Sequence, residues 1–335
     1  MMHRTLIYVL FLISWLSHLP LVHGTESPDT LLRDFLWEEL AELPASQRPK
    51  VGLVLSGGGA RGFAHVGTIE VLERAGFPVD VVAGTSIGAI VGSMYASGAF
   101  TAKLKELARA ARFDQGTNLN RIGLIRLMVT ESLLSTKKME NYIQSVVGNK
   151  QFHELKKPFA CVAMDLKTGE RIIFKEGWVA PAVRASMNLP GLFKPVEYRH
   201  RYLVDGGVVD YIPVDAARQL GAQYVLASIT EGDFSQTSVT NVLLYLQQVI
   251  DIRGALLSKA SRESANFIVE HAVGDIHFHE FTRSGEAVER GTIATQERLS
   301  KAKEQYILFS MPYLMTSWKK GTQFDYEANI PKKIN

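Results

Sequence analysis

The chain has 335 residues, of which 46% are hydrophobic and 21% are charged, and its formal net charge is +3. This composition is typical of a globular protein with one large domain or two ordinary ones, and it excludes a disordered chain. The small net charge and the absence of a dense Lys/Arg stripe argue against a nucleic-acid-binding protein.

The N-terminus has the pattern of a targeting segment. An apolar run from Leu6 to Leu16 follows Arg4, and Val22-His23-Gly24 supplies the small or moderate residues that precede a cleavage site. We therefore expect residues 1–24 to be a secretory signal peptide and the protein to be periplasmic or secreted. The alternative is an uncleaved N-terminal membrane anchor, although the run is shorter than the ~20 residues of a membrane span.

The next two hundred residues alternate between strand-like and helix-like patterns. Residues 25–50 form a polar lead-in segment with one predicted helix between Leu31 and Leu43. From residue 51, short apolar runs alternate with helical patterns, and the first two strands are expected at Val51–Ser56 and Val79–Ala83. This alternation predicts an α/β fold of three layers (α/β/α), in which helices cover both faces of a mainly parallel central sheet.

The later elements complete a catalytic domain at residues 51–230 and a helical extension packed on it at residues 231–335. Residues 99–150 are more helical and are expected to cap one end of the sheet. The turn Lys167-Thr168-Gly169 predicts a β-hairpin. The other predicted elements are the hairpin strands Phe159–Leu166 and Glu170–Lys175, a helix Ala180–Met187, a strand Tyr202–Val204, a helix Val214–Leu220, a strand Gln223–Ile229, long helices Val242–Lys259 and Glu286–Met311, and a possible edge strand Asp275–Phe281.

A glycine-rich loop, Gly57-Gly58-Gly59-Ala60-Arg61-Gly62, directly follows the first predicted strand. Consecutive glycines before a helix let backbone N–H groups converge on an anion, so we expect an oxyanion hole, in which each donor contributes roughly 3 kcal/mol. The spacing also fits the dinucleotide-binding pattern G-x-G-x-x-G, with Asp80 as the candidate ribose ligand. Asp80 begins the second strand instead of ending it, which disfavours that alternative. A glycine turn without any role in anion binding is a further alternative.

A serine lies between the second strand and its helix, in Gly84-Thr85-Ser86-Ile87-Gly88. This segment matches G-x-S-x-G, the nucleophile elbow in which a sharp turn exposes the serine hydroxyl above the sheet. Gly84 and Gly88 remove side chains that would collide with neighbouring backbone. The alternative is that Ser86 only caps the helix, a common role for serine that does not need flanking glycines.

An acidic residue follows a later strand, in Asp205-Gly206-Gly207. Taken alone, Asp205 could be a turn former. Because the carboxyl ends of parallel strands meet at one edge of a sheet, we expect Asp205, Ser86 and the glycine loop to lie close together. A Ser-Asp-His triad would need one of three later histidines, His271, His277 or His279, and these fall in the predicted helical extension. Cys161 is the single cysteine, and its apolar neighbours predict a buried thiol.

The segments GGGARG, GTSIG and DGG, in this order and context, resemble those of the patatin-like phospholipases, a family that includes bacterial enzymes and the catalytic domain of neuropathy target esterase. The segment Arg184-Ala185-Ser186-Met187, which runs on to Pro190 and Phe193, is also similar to the family's. The resemblance covers residues 51–230 and implies a Ser-Asp dyad, with Ser86 as nucleophile and Asp205 as proton acceptor. It places the oxyanion hole in the loop Gly57–Gly62. Gly207 stands where many members have alanine.

These interpretations predict a serine acyl hydrolase that acts on phospholipids or other acyl lipids at a membrane surface, without a metal or a cofactor. Since the reference pKa of an aspartate lies near 3.9, we expect the acid limb of the pH–rate profile below about pH 6. Two alternatives stay open from the sequence. One is an α/β-hydrolase esterase with a Ser-Asp-His triad, and the other is a non-catalytic lipid-binding protein with the same fold.

Overall fold

The computed structural model describes residues 28–99, 101–110, 135–232 and 242–328. Within these ranges eight strands form one sheet in the order β5-β6-β3-β2-β1-β7-β8, and β4 pairs with the opposite edge of β3. The strands are β1 (Val51–Leu55), β2 (Val81–Thr85), β3 (Phe159–Asp165), β4 (Arg171–Phe174), β5 (Val196–Tyr198), β6 (Arg201–Asp205), β7 (Tyr224–Ile229) and β8 (Phe267–Glu270).

The described ranges also contain nine α-helices. They are α1 (Pro28–Glu42), α2 (Ala64–Arg74), α3 (Ile87–Ala96), α4 (Thr101–Ala110), α5 (Lys137–Val147), α6 (Val179–Ser186), α7 (Val214–Gln219), α8 (Val242–Ser264) and α9 (Ser284–Ala328). Two of them, α4 and α5, belong to the predicted cap. The remainder of that cap, residues 111–134, lies outside the described residues.

The sheet is the middle of three layers, as the strand and helix pattern predicted. Strands β3, β2, β1, β7 and β8 run parallel to one another, whereas β4 and β6 are antiparallel to β3. Alternate side chains of β1 point to opposite faces, so Leu53 and Leu55 join one hydrophobic core while Val54 joins another. The larger core is covered by α2, α3, α6 and α9, and the smaller one by α7. The predicted α/β fold with a mainly parallel sheet is therefore confirmed.

One predicted strand is wrong. Residues 275–281 form turns and a short 3₁₀ segment, and the edge strand is instead β8, which pairs in parallel with β7. Instead of joining the sheet, this segment contacts the glycine loop, where the carbonyl of Phe278 accepts a hydrogen bond from the N–H of Ala60. The segment beyond residue 230 thus contributes one strand to the central sheet as well as the two long helices.

The N-terminal part of the described chain packs on the body of the protein. Helix α1 covers the predicted Leu31–Leu43 except for the last residue, since it ends at Glu42, and its Trp37 and Leu40 are buried in the larger core. The predicted signal peptide, residues 1–24, lies outside the described residues. Within the described ranges, no helix combines the length and the apolar character that crossing a membrane requires.

Candidate active site

Ser86 occupies a sharp turn between β2 and α3. Its backbone has φ 56° and ψ −121°, a conformation that costs a non-glycine residue about 1–3 kcal/mol, and its side chain does not cap the helix. A Cβ at Gly84 would lie 2.3 Å from the carbonyl oxygen of Gly88, and one at Gly88 would lie 2.3 Å from the carbonyl oxygen of Leu55. The flanking glycines therefore permit the close backbone contacts on which this turn depends.

The hydroxyl of Ser86 donates a hydrogen bond to Asp205, with 2.5 Å between Oγ and Oδ2. The other carboxylate oxygen, Oδ1, accepts the backbone N–H of Gly207 at 2.7 Å. Asp205 is only 3% exposed, whereas Ser86 is partly open to solvent. One oxygen of the carboxylate is thus held by its own turn, and the other faces the serine.

Asp205 reaches Ser86 by a route that differs from the one predicted. Strand β6 is antiparallel to β3, and Asp205 pairs with Ala163. Strand β3 continues beyond the end of β2, where Thr85 pairs with Val162. Since β6 runs back along this protruding part of β3, its last residue arrives at the level of the serine turn. The two side chains therefore meet because β3 overhangs β2, and not because two parallel strands end together.

Burial raises the pKa of Asp205 to about 7. The hydrogen bonds from Ser86 and from the N–H of Gly207 oppose this shift, and the negative charge of Asp251 adds to it. An ordinary aspartate is too weak a base to take a proton from a serine hydroxyl efficiently. A carboxylate whose pKa lies near neutrality is as strong a base as an imidazole, and it is better matched to general-base chemistry.

The glycine loop lies beside the serine turn, with Gly62 packed against Ile87. Two of its N–H groups already have acceptors, because Gly57 donates to the carbonyl of Tyr211 and Ala60 to that of Phe278. Within the described residues, the N–H groups of Gly58 and Gly59 have no acceptor. Their φ values of 148° and 58° fall in the region that favours glycine. Gly58 and Gly59 are therefore the donors of this loop that are available for an oxyanion.

Arg61 of the glycine loop is directed into the protein. Its side chain is 6% exposed and forms a 2.9 Å ion pair with Asp251 on α8. Burial alone would lower the pKa of Arg61, but Tyr211 and Asp251 outweigh it, so the pKa is raised and the guanidinium stays charged. Arg61 thus fixes the glycine loop to α8. Asp251 was missed from the sequence, since no motif surrounds it and it lies 190 residues from its partner.

Two residues between the motifs hold the backbone of the candidate dyad. The Oγ of Ser186, at the end of α6, accepts the N–H of Ser86 at 3.1 Å. The carbonyl of Asn188 accepts the N–H of Asp205 at 2.9 Å. Both side chains are fully buried. The segment after Arg184 resembled the family's in sequence, but the roles of Ser186 and Asn188 become visible only in three dimensions.

Four of the described histidines contact groups other than Ser86 and Asp205. His65 is buried and bonds to Ser228 and to the carbonyl of Ser56, and burial lowers its pKa to about 4. His271 bonds to Ser228 and Thr68, and burial lowers its pKa to about 3. The rings of His277 and His279 stack on each other. Across the described ranges, no imidazole bonds to Ser86 or Asp205, and no cluster of three or more His, Cys, Asp or Glu side chains could hold a metal ion.

The contacts of Asp80 and the burial of Cys161 indicate structural roles for both residues. Asp80 precedes β2, forms an ion pair with Arg48 at 2.7 Å and accepts the N–H of Val51. It is therefore held at the opposite end of the strand from Ser86, which removes the basis for a dinucleotide site. Cys161 is fully buried, as predicted, and burial raises the pKa of its thiol.

Comparison with known sequences gives one consistent family. The profile of the family "Patatin-like phospholipase" matches residues 53–218. An uncharacterized NTE family protein of Mycobacterium tuberculosis is 33% identical over 191 residues, which are 56% of this chain and 51% of that protein. Human patatin-like phospholipase domain-containing protein 6 is 35% identical over 192 residues, 57% of this chain and 14% of that protein. The aligned segment thus spans about half or less of these relatives.

Further similarities connect the chain to a fungal enzyme and to solved structures. A lysophospholipase of Aspergillus fumigatus is 37% identical over 177 residues, 53% of this chain and 12% of that protein. The crystal structure of VipD from Legionella pneumophila covers 76% of this chain and 67% of its own, with a TM-score of 0.46 and 14% identity. The structure of human GIVD cytosolic phospholipase A2 covers 85% of this chain and 65% of its own, with a TM-score of 0.44 and 11% identity.

Proposed function

Because residues 53–218 form a patatin-like phospholipase domain, we propose that the protein is a serine acyl hydrolase that cleaves fatty-acyl esters of phospholipids or related lipids. The observation that carries the proposal is the 2.5 Å hydrogen bond from Ser86 to the buried carboxylate of Asp205. This hydrogen bond joins the two residues that the motifs single out. Ser86 lies on a turn whose backbone is strained.

In the acylation step, the Ser86 oxygen attacks the ester carbonyl carbon while its proton moves to Oδ2 of Asp205. The carbonyl oxygen becomes an oxyanion, which accepts hydrogen bonds from the N–H groups of Gly58 and Gly59. The bond to the leaving oxygen then breaks, and that oxygen takes the proton from Asp205. The products are an acyl-Ser86 ester and a free alcohol, such as a lysophospholipid.

In the deacylation step, a water molecule replaces the leaving alcohol. Asp205, again ionised, takes a proton from the water, and the resulting hydroxide attacks the acyl carbon. When the bond to Ser86 breaks, Asp205 returns its proton to the serine oxygen and the fatty acid leaves. One base therefore serves both steps, and Oδ1 stays fixed by the N–H of Gly207 throughout.

The two alternatives from the sequence gain no support. A triad needs a histidine in contact with the serine, and in the described residues the Ser86 hydroxyl donates to Asp205 and no imidazole bonds to either residue. A non-catalytic lipid-binding protein does not need the strained turn of Ser86 or a buried carboxylate beside it. Both features weaken a fold, so their presence together favours a working site.

The experiment that tests the function is a lipid panel. The purified protein and its Ser86→Ala variant are incubated with phospholipids, lysophospholipids and triacylglycerols, and the released products are identified by mass spectrometry. We expect fatty acid release from phospholipid or lysophospholipid by the wild-type protein alone. Release from no lipid in the panel, or equal release by both proteins, would reject the proposal.

We also propose that the protein is exported through residues 1–24. The support is the sequence pattern alone: a basic start, a short apolar run and small or moderate residues before Thr25. Sequencing the N-terminus of the protein purified from its native cells tests this. A mature chain that begins near Thr25 in an extracytoplasmic fraction agrees with the proposal, and an intact Met1 in the cytosol contradicts it.

A further inference from the structure

Helix α8 packs one of its faces against the candidate active site. Asp251 forms the ion pair with Arg61 of the glycine loop. One turn later, Gly254 approaches the carbonyl of Gly207, to which a Cβ at Gly254 would come within 3.2 Å. Ser258, on the same face, is 2% exposed. The inner face of α8 is therefore seated on the turn that follows Asp205.

The opposite face of α8 carries large apolar side chains that nothing in the described chain covers. Their spacing of four, three and four residues places them in one stripe along the helix. The stripe consists of Tyr245, Val249, Ile252 and Leu256, which are 58%, 48%, 38% and 75% exposed. Leu257, at 47%, lies next to it. Exposed apolar side chains that adjoin in this way mark an interaction surface.

The charges beside this α8 stripe are predominantly positive. Arg253 and Lys259 are exposed on the same helix, and Glu263, at its C-terminal end, is an exposed acid. The other acidic residue of the helix, Asp251, points inward to Arg61. An apolar stripe with cations beside it is the pattern of a helix that lies in the interface of an anionic membrane.

We propose that the α8 stripe docks the protein on the surface of an anionic phospholipid bilayer. The inference rests on the proposed function, because a lipid hydrolase must reach a substrate that lies in a bilayer. A helix is about 10 Å across, so a membrane on the outer face of α8 lies about 10 Å from the turn at Gly207 on its inner face. The apolar side chains enter the acyl boundary, and Lys259 meets the anionic headgroups. Arg253 donates its Nε–H to the carbonyl of Val208 at 3.3 Å, so only its outer guanidinium nitrogens face the headgroups.

Vesicle binding without catalysis tests the inference. Full-length Ser86→Ala protein is floated with vesicles of phosphatidylcholine, or of an equal mixture of phosphatidylcholine and phosphatidylglycerol. Adding Leu256→Glu should weaken binding by at least about tenfold, because it removes a leucine that enters the bilayer and adds a charge that the anionic lipids repel. Adding Lys259→Gln should weaken binding to the mixed vesicles by about fivefold and leave binding to pure phosphatidylcholine nearly unchanged.

The matched control is Leu308→Glu, which makes the same change at a leucine of α9 that is 63% exposed. It should bind vesicles like the parent protein. Equal binding by the Leu256→Glu and Leu308→Glu variants would overturn the inference. So would light scattering that shows a dimer of the parent protein dissociated by Leu256→Glu, since the stripe would then contact a second copy of the chain.

Activity separates this inference from the proposed function. In the protein with Ser86 intact, Leu256→Glu should reduce hydrolysis of vesicle phospholipid and leave hydrolysis of a soluble short-chain ester unchanged. If no lipid is cleaved but vesicle binding depends on Leu256, the proposed function falls and the docking surface stands. If vesicles are cleaved equally with and without Leu256→Glu, the docking surface falls and the proposed function stands.

Discussion

Asp205 holds Ser86 through one hydrogen bond, in which 2.5 Å separates Oδ2 from Oγ, while its other oxygen is fixed by the N–H of Gly207. The carboxylate is buried and lies near a second acid, Asp251, so its pKa is raised to about 7. Ser86 and Asp205 thus have the geometry of a nucleophile and its base, and the negative charge of Asp205 is destabilised by burial.

The first prediction concerns the pH dependence of kcat/KM. We expect an acid limb centred near pH 7, since Asp205 must be ionised to act as a base and its pKa is about 7. This replaces the limb below about pH 6 expected from an unshifted aspartate. The position of the limb alone therefore does not distinguish a dyad from a triad, but histidine substitutions do. The midpoint of the acid limb should stay unchanged in three variants, His271→Asn, His277→Gln and His279→Gln. Loss of the limb in any one of them would indicate a triad.

The second prediction concerns Asp251. Asp251→Asn should move the acid limb to lower pH, because the negative charge of Asp251 raises the pKa of Asp205. It should also destabilise the protein by about 3 kcal/mol, since buried Arg61 loses its ion pair. Asp215→Asn serves as control, because that carboxylate is 63% exposed and pairs with Arg171 instead. A limb that stays in place in the Asp251→Asn protein would contradict the electrostatic link.

The third prediction concerns stability. The folded protein raises the pKa of Asp205 from 3.8 to about 7, so between these values the native state binds more protons than the unfolded state. Stability from this group is present below the unfolded pKa and is lost as the pH rises toward 7. Asp205→Asn should therefore stabilise the protein by roughly 2–4 kcal/mol above about pH 8 and by little near pH 4. Urea denaturation of both proteins at the two pH values measures this, and an equal or lower stability of the variant at alkaline pH would refute it.

The fourth prediction concerns Ser186. Ser186→Ala should lower kcat by about ten- to a hundredfold with little change in KM, because the N–H of Ser86 loses its acceptor and the strained turn relaxes. Ser93→Ala is the matched control: Ser93 is also a fully buried helical serine, but its hydroxyl bonds to the carbonyl of Ile90 in its own helix. Comparable kcat values for the two variants would mean that Ser186 does not position the nucleophile.

Local features of the site were predictable from the sequence, and long-range ones were not. Ser86 and its glycines lie in one strand-turn-helix unit, so the motif sufficed to predict the elbow. The proximity of Asp205 was also predicted, but for the wrong reason, since β6 is antiparallel and reaches the site along the overhang of β3. The pKa of Asp205 depends on burial, which a motif does not reveal.

The segment beyond residue 230 was the least predictable part. Phe267–Glu270 is a strand of only four residues, too short to be distinguished from the surrounding helical pattern. The pattern of Asp275–Phe281 predicts an edge strand that does not form. The contacts of this segment with the glycine loop, through Asp251 and Phe278, join residues about two hundred positions apart in the chain. Only the folded chain brings them together.

The central claim is that Ser86 is a nucleophile activated by Asp205, and a fluorophosphonate probe tests it most directly. The probe is incubated with the wild-type, Ser86→Ala and Asp205→Asn proteins, and the modified peptide is identified by mass spectrometry. We predict a single label on Ser86 in the wild-type protein, none in Ser86→Ala, and labelling slowed by at least about a hundredfold in Asp205→Asn. A label on another residue, or labelling of Asp205→Asn at the wild-type rate, would contradict the account.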